Sequence, residues 1–249
     1  MITLILPAYN EEAALPAQLQ DIVRQHDNLP NLRVIVVDDG SADRTAEIVQ
    51  SVSRVHPWIH VIQHEQNKGL SQAIQTGFRA ALDYSNADDA IIIMDADNTQ
   101  PVDLIPRMVA EVEGGADVVI ASRFQPGAEV HGVPFMRRRY SEGMSLLFRT
   151  AFPIENVRDY SCGFRAYRAG VLQRAYDHYG AEFITEQGFA CMVEVLFQLD
   201  ALGDDVTFAE VPMVLRYDQK PTPTKMRVVK TIRDTLRVAL RFRNQKPPQ

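Results

Sequence analysis

Short apolar runs recur along the first half of the chain, at residues 2–6, 34–37, 59–62, 90–94 and 118–121. Each reads as a strand. Between them, residues 12–26, 43–55, 70–84 and 102–113 place apolar side chains at helical spacing, with Ser41 or Asp43 available to cap the second of these helices. That alternation predicts an α/β fold, with a mainly parallel central sheet flanked by helices. Sheets of this kind bind ligands outside the carboxyl ends of their strands. In this chain the residues that follow each apolar run are polar.

After Ser122 the pattern loosens. Residues 124–136 are rich in Gly and Pro and read as a mobile loop over a site. The basic run Arg137-Arg138-Arg139 then opens a helix reaching Phe148, and a polar stretch at 159–168 precedes a helix at 187–202 and an edge strand near 206–212. Two prolines in 220–224 divide a body, 1–222, from a basic tail, 223–249. Within 225–243, Val229, Ile232, Leu236 and Leu240 share one helical face, and Lys230, Arg233, Arg237 and Arg241 run beside it. Such a helix either lies in a lipid interface or packs its apolar face on the body.

Composition narrows the function. With 249 residues, 46% of them apolar, the chain can bury a substantial core as one large domain or two small ones. No apolar run approaches the ~18–20 residues needed to cross a bilayer, and residues 1–12 lack the pattern of a signal peptide. Two cysteines, Cys162 and Cys191, make neither a disulfide framework nor a zinc site, so a reducing, cytoplasmic location is expected. The net charge of −6 hides an asymmetry: residues 220–249 carry +8, leaving −14 on the rest. An acidic body argues against nucleic acid as a partner, while the tail suits anionic surfaces or phosphates.

The candidate chemistry gathers at the strand ends. Pro7-Ala8-Tyr9-Asn10-Glu11-Glu12, Asp38-Asp39-Gly40-Ser41 and Asp95-Ala96-Asp97-Asn98 follow three different runs. Carboxylates collected on one rim repel one another and need a cation or hydrogen-bond donors. One residue apart on an extended backbone, Asp95 and Asp97 point the same way and suit one hard cation, Mg2+ or Mn2+, with open positions for diphosphate oxygens. Asn67-Lys68-Gly69 would add a cation and a helix amino terminus to that rim.

These motifs, with Ala121-Ser122-Arg123, resemble in order and spacing the family 2 inverting glycosyltransferases of the GT-A fold. Arg137-Arg138-Arg139-Tyr140-Ser141, Asp159-Tyr160-Ser161-Cys162-Gly163-Phe164-Arg165 and Glu210-Val211-Pro212 are similar to the dolichyl/polyprenyl-phosphate mannosyltransferase branch. The resemblance implies a nucleotide-sugar-binding half, 1–123, and an acceptor half, 124–222. Pro7, Tyr9 and Glu11 would surround the base and ribose, Asp39 and Lys68 would join the nucleotide pocket, and Asp38 would be structural. Asp95 and Asp97 would hold metal and diphosphate, with Thr99 in the place of a third ligand. Arg123, Arg137 and Ser141 would cradle a lipid-linked phosphate, and Lys225 or Arg227 would reach a phosphate of donor or acceptor.

The implied reaction moves a hexose, mannose first and glucose second, from a nucleoside-diphosphate sugar to polyprenyl phosphate at the cytoplasmic face of a membrane. Arg165 is a further loop cation suited to phosphate. A phosphate nucleophile, with a second pKa of about 6, needs positioning more than a general base. For a hydroxyl acceptor Glu186 is the candidate base and Asp159 the second, while Glu194 is expected to pair with an arginine. Cys162 reads as a buried thiol.

Overall fold

The computed structural model describes residues 1–221 and 228–243, apart from the side chains of 228, 229 and 243. The first half alternates strand and helix: β1 (Ile2–Ala8), α1 (Leu15–Gln25), β2 (Leu32–Asp38), α2 (Thr45–Ser53), β3 (Ile59–Gln63), α3 (Leu70–Leu82), β4 (Ala90–Ile93), α4 (Ile105–Glu113) and β5 (Val118–Ser122). The second half adds β6 (Glu129–His131), α5 (Phe135–Ala151), β7 (Arg165–Arg168), α6 (Ala169–Tyr179), α7 (Ala190–Asp200), β8 (Phe208–Pro212), β9 (Val214–Arg216) and α8 (Val228–Arg243).

The main sheet has the order β3-β2-β1-β4-β7-β5-β8. β1 pairs in parallel with β2 and with β4, and Leu4 stands opposite Val34 on one side and Ile92 on the other. Chain order reverses across β1, and a crevice therefore opens at the carboxyl ends of β1 and β4. β4 and β5 are buried along their whole length, which is why they read as continuous apolar runs without alternation.

The sequence pattern missed β7. Only four residues long and carrying two arginines, it runs antiparallel between β4 and β5, with Ala166 opposite both Ile92 and Val119. The second half thus contributes to the same sheet as the first, and β8 lies at its edge as expected. Of the two cap candidates, Asp43 accepts the Thr45 N–H at 3.0 Å, whereas the Ser41 hydroxyl takes the Asn10 N–H.

Two expectations change. Residues 124–136 are more than a loop, because β6 pairs with β9 through Val130 and Leu215, and α5 begins at Phe135 with the arginine run in its first turns. In α8 the buried residues are Asp234, Thr235, Val238, Ala239 and Phe242; of the aliphatic face read from the sequence, Leu236 packs half-buried against the core and Ile232 lines a cavity. Leu240 is 52% exposed, while Phe242 stacks on Phe197 of α7 with ring centroids 5.7 Å apart. Lys225, Arg227 and the Val229 side chain lie outside the described residues. No helix among the described residues is long and apolar enough to cross a membrane.

Close packing of α3 on β1 yields a prediction of unusual sign. A Cβ added at Gly77 would sit 2.4 Å from Cγ2 of Ile5. Gly77→Ala, which in an exposed helix gains about 1 kcal/mol, is expected here to destabilise by about 1–3 kcal/mol through overpacking. A urea melt beside the wild type measures it.

Candidate active site

The turn after β4 is held from several directions. Gln18, wholly buried on α1, donates its amide to the Asp95 carbonyl at 2.8 Å and accepts the Asn98 N–H at 3.0 Å. Asn98 has φ 59°, a left-handed conformation that Asn tolerates. Gln100 accepts the Asp95 N–H at 2.9 Å and donates to Asp95 Oδ2 at 2.8 Å. Asp97 Oδ2 receives the ammonium of Lys220 at 2.5 Å. Burial, then the neighbouring Asp97 carboxylate, push the Asp95 carboxyl up to about 7, against the pull of Lys220.

Thr99, the residue in the place of a third metal ligand, lies beside Asp95 and Asp97 at the cavity wall. Its hydroxyl and N–H both donate to Asp97 Oδ1, at 2.7 and 3.2 Å, so it orients that carboxylate. Among the described residues no group of three His, Cys, Asp or Glu side chains is arranged to hold a metal. Two carboxylate donors, one of them with its charge disfavoured by the other, fit a Mg2+ or Mn2+ ion that completes its shell with ligand oxygens and water.

On one side of this pair lies a cavity of about 210 Å³ lined by Pro7, Tyr9, Glu11, Asp39, Asn67 and Gly69 among others. Asp39 accepts the N–H groups of Lys68 and Gly69 at 2.9 and 2.8 Å and the Nδ1 of His64 at 2.7 Å, and so ties the end of β2 to the start of α3. Gly40 permits this approach: its φ is +68°, and a Cβ there would lie 2.3 Å from the Gln66 carbonyl carbon. Lys68 contributes through its backbone; its exposed side chain does not line the cavity. Asp38 is buried and accepts the Ser41 N–H, a structural role.

On the other side, a cavity of about 200 Å³ is walled largely by apolar side chains, including Met144, Phe148, Phe189, Met213 and Ile232. It shares Arg123, Arg137 and Ser141 with a third cavity of about 340 Å³ beneath the β6–β9 ribbon. Arg123 makes a bidentate pair with Asp159, Nε to Oδ2 and Nη2 to Oδ1, both at 2.7 Å. Burial would raise the pKa of Asp159, but the Arg123 guanidinium outweighs it and holds this carboxyl below its ordinary value. A carboxylate so paired is no general base.

Within the arginine run, Arg137 is half-buried and donates to the Tyr217 hydroxyl at 2.8 Å, whereas Arg138 and Arg139 are exposed and pair with Glu142. Arg165 departs from expectation. It lies on β7, wholly buried, and its guanidinium donates to the carbonyls of Met192 and Tyr160 at 2.6 and 2.8 Å, so no acceptor phosphate meets it. Glu186 lines none of these three cavities and faces Arg241 at 3.6 Å. Glu194 pairs with Arg241 at 2.5 Å. Burial pushes the Cys162 thiol up to about 12, in keeping with an inert side chain.

The cavity beside Pro7 and Asp39 and the apolar cavity share Asp95, Asp97, Phe189 and Lys220. A ligand in each would therefore meet its counterpart at the acidic pair. Lys220, Tyr217, Phe189, Gln18 and Gln100 were not singled out from the sequence. Gln18 left one signal, a polar residue on the face of α1 that buries Leu15, Leu19 and Ile22.

The model of "Glycosyl transferase family 2" matches residues 3–175. A dolichol-phosphate mannosyltransferase of Pyrococcus furiosus is 34% identical over 198 residues, 79% of this chain, although the match spans only about half (52%) of that relative. An undecaprenyl-phosphate mannosyltransferase of Micrococcus luteus is 34% identical over 209 residues, 84% of this chain and 81% of the relative. Among solved structures, glucosyl-3-phosphoglycerate synthase from Mycobacterium tuberculosis, in complex with Mn2+, uridine diphosphate and glucosyl-3-phosphoglycerate, shares the fold. Its TM-score is 0.69 at 21% identity, covering 100% of this chain and 81% of that one. By the family model and by its relatives, the chain belongs to glycosyl transferase family 2.

Proposed function

We propose that this chain transfers a hexose, mannose in the first instance, from a nucleoside-diphosphate sugar to a polyprenyl phosphate. The observation that carries this reading is the pairing of a cradle, Arg123, Arg137 and Ser141, with an apolar-walled cavity that meets the nucleotide-side cavity at Asp95 and Asp97. Guanidinium groups suit phosphate oxygens, and an isoprenoid suits the apolar wall. The names of the Pyrococcus and Micrococcus relatives support the same acceptor class.

In this reading an acceptor phosphate oxygen attacks the anomeric carbon from the face opposite the diphosphate. The new carbon–oxygen bond forms as the bond to the leaving diphosphate breaks, which inverts the anomeric centre. A phosphate monoester is largely ionised at neutral pH, so no protein base has to remove a proton. The carboxylates lining the apolar cavity, among the described residues, are Asp95, Asp97 and Asp159, and each already accepts a hydrogen bond. Glu186, the base that a hydroxyl acceptor would need, is turned toward Arg241 instead.

Asp95 and Asp97 would hold a divalent ion, which when bound offsets the charge developing on the leaving diphosphate. Lys220 adds a positive charge at the same place, kept there against burial by Asp97. Arg123 and Arg137 orient the acceptor, and Pro7, Tyr9, Glu11 and Asp39 enclose the nucleoside. The tail residue Lys225 retains its proposed role toward a phosphate.

The reading extends to a peripheral place on the cytoplasmic face of a membrane. α5 exposes Phe135, Met136, Tyr140 and Leu146 at 72, 58, 54 and 61%, beside the exposed Arg138 and Arg139. Apolar and cationic side chains together on one helix suit an anionic lipid interface. Sedimentation with phosphatidylglycerol vesicles is expected, with loss of binding in the Phe135→Asp/Leu146→Asp double variant and weakening at high salt. Equal binding by variant and wild type would reject this surface.

Two predictions test the chemistry. Purified protein with Mn2+, a panel of nucleotide sugars and a short polyprenyl phosphate should release nucleoside diphosphate from one donor only when the lipid phosphate is present. Asp97→Asn, or chelation by EDTA, should cut that release about 100-fold or more. Release that needs only a sugar hydroxyl would move the assignment to a hydroxyl acceptor with Glu186 as base. Arg137→Met should raise the acceptor KM about 10–100-fold, the equivalent of one charge-assisted contact, and leave the donor KM within about twofold. Steady-state kinetics with each substrate varied in turn distinguish the two.

A further inference from the structure

Phe189 belongs to the walls of both the nucleotide-side and the apolar cavity. It ends the segment 184–189 that leads into α7, in which Gly188 has φ 60°. Three donors of that segment converge on one carboxylate. The Thr185 N–H, the Thr185 hydroxyl and the Glu186 N–H reach Glu194 at 2.7, 2.5 and 2.7 Å.

Glu194 is wholly buried in the middle of α7, between Val193 and Val195, which are also fully buried. Among the described residues, the cation within ion-pair distance of it is Arg241 on α8, at 2.5 Å. The same guanidinium lies 3.6 Å from Glu186. A carboxylate removed from water stays charged only when a cation and hydrogen bonds replace the lost solvation. Arg241 brings that cation from 47 residues further along the chain, on a helix that also walls the apolar cavity with Thr231, Ile232 and Thr235.

We propose that Arg241 and Glu194 are positioning residues that make the seating of α8 over the apolar cavity a condition for the ordered 184–189 segment, and so for the placement of Phe189 between donor and acceptor. The consequence for the reaction rests on the transferase reading above. With α8 seated, Phe189 and its segment wall the junction where the two cavities meet and keep bulk water from it. With α8 displaced, Glu194 loses its cation, the segment loosens, and water reaches the donor. A water oxygen then bonds to the anomeric carbon, the bond to the diphosphate breaks, and the water's proton passes to solvent.

The test uses the full chain and reads the segment directly. Hydrogen–deuterium exchange at residues 184–189 should be about tenfold faster or more in Arg241→Met than in the wild type, because the wholly buried Glu194 carboxylate then loses the half-exposed guanidinium that offsets its burial. Peptides from β1 and β4 serve as the reference for a folded core. Adding Glu194→Gln to Arg241→Met should return exchange toward the wild-type rate, since the amide still accepts the loop N–H groups and needs no cation. A merely structural pair would make the double variant worse than either single one, and that outcome overturns the coupling. So does unchanged exchange in Arg241→Met.

In the activity arm, Arg241→Met should raise acceptor-independent nucleoside diphosphate release several-fold and lower transfer. The double variant should reverse both. A wild type that transfers no sugar to lipid phosphate would defeat the transferase reading alone, because the exchange pattern decides the coupling without it.

Discussion

The constraint on which the site depends is the repulsion between carboxylates set one residue apart where β4 ends. Asp95 and Asp97 cannot both keep their charge in a half-buried crevice without donors and cations around them. Gln100 and Thr99 of the turn itself donate to the two carboxylates, Lys220 brings a cation from the segment beyond β9, and Gln18 of α1 holds the backbone of the turn. Each partner removes a degree of freedom from the turn. The result is a rigid acidic edge with one cavity on either side, the geometry a transfer between two bound molecules requires.

A second set of charges is arranged by the same logic. Asp159 is wholly buried and is answered by the Arg123 guanidinium, which places that arginine at the cavity wall. Asp159 is itself located by Glu210, whose Oε1 accepts the N–H groups of Arg158 and Asp159 at 2.6 and 2.7 Å. The motif Glu210-Val211-Pro212 thereby acquires a physical meaning, since β8 at the sheet edge steadies an arginine at the site. Arg165 shows the opposite case. Its side chain resembles a phosphate ligand in composition, yet it joins β7 to α7 by donating to buried carbonyls.

Much of the first half could be read directly from the chain. Its strands β1, β2, β4 and β5 are almost wholly buried and are marked by apolar runs, with only the edge strand β3 half exposed, and the ligand rim follows from the rule that crevices open at carboxyl ends. β7 escaped because a short strand with arginines at both ends carries no apolar run. The buried face of α8 is shifted from the aliphatic one for a related reason: Thr235 and Ala239 are buried beside the half-buried Leu236, while the larger Leu240 stays exposed. Neither size nor hydrophobicity of a single residue reveals which neighbour it meets.

By itself the sequence determined the α/β layering, the position of the acidic motifs at strand ends and the family resemblance, because these depend on local order and short spacing. Tertiary structure decided what each polar group does once it is there. Thr99 and Arg165 were given structural partners, Arg137 was separated from Arg138 and Arg139, and Lys220 and Phe189 were brought to the boundary between the cavities. The physical reason is that a hydrogen bond or an ion pair depends on atoms meeting within about 3 Å, and chain separations such as the 123 residues between Asp97 and Lys220 carry no signal of that meeting.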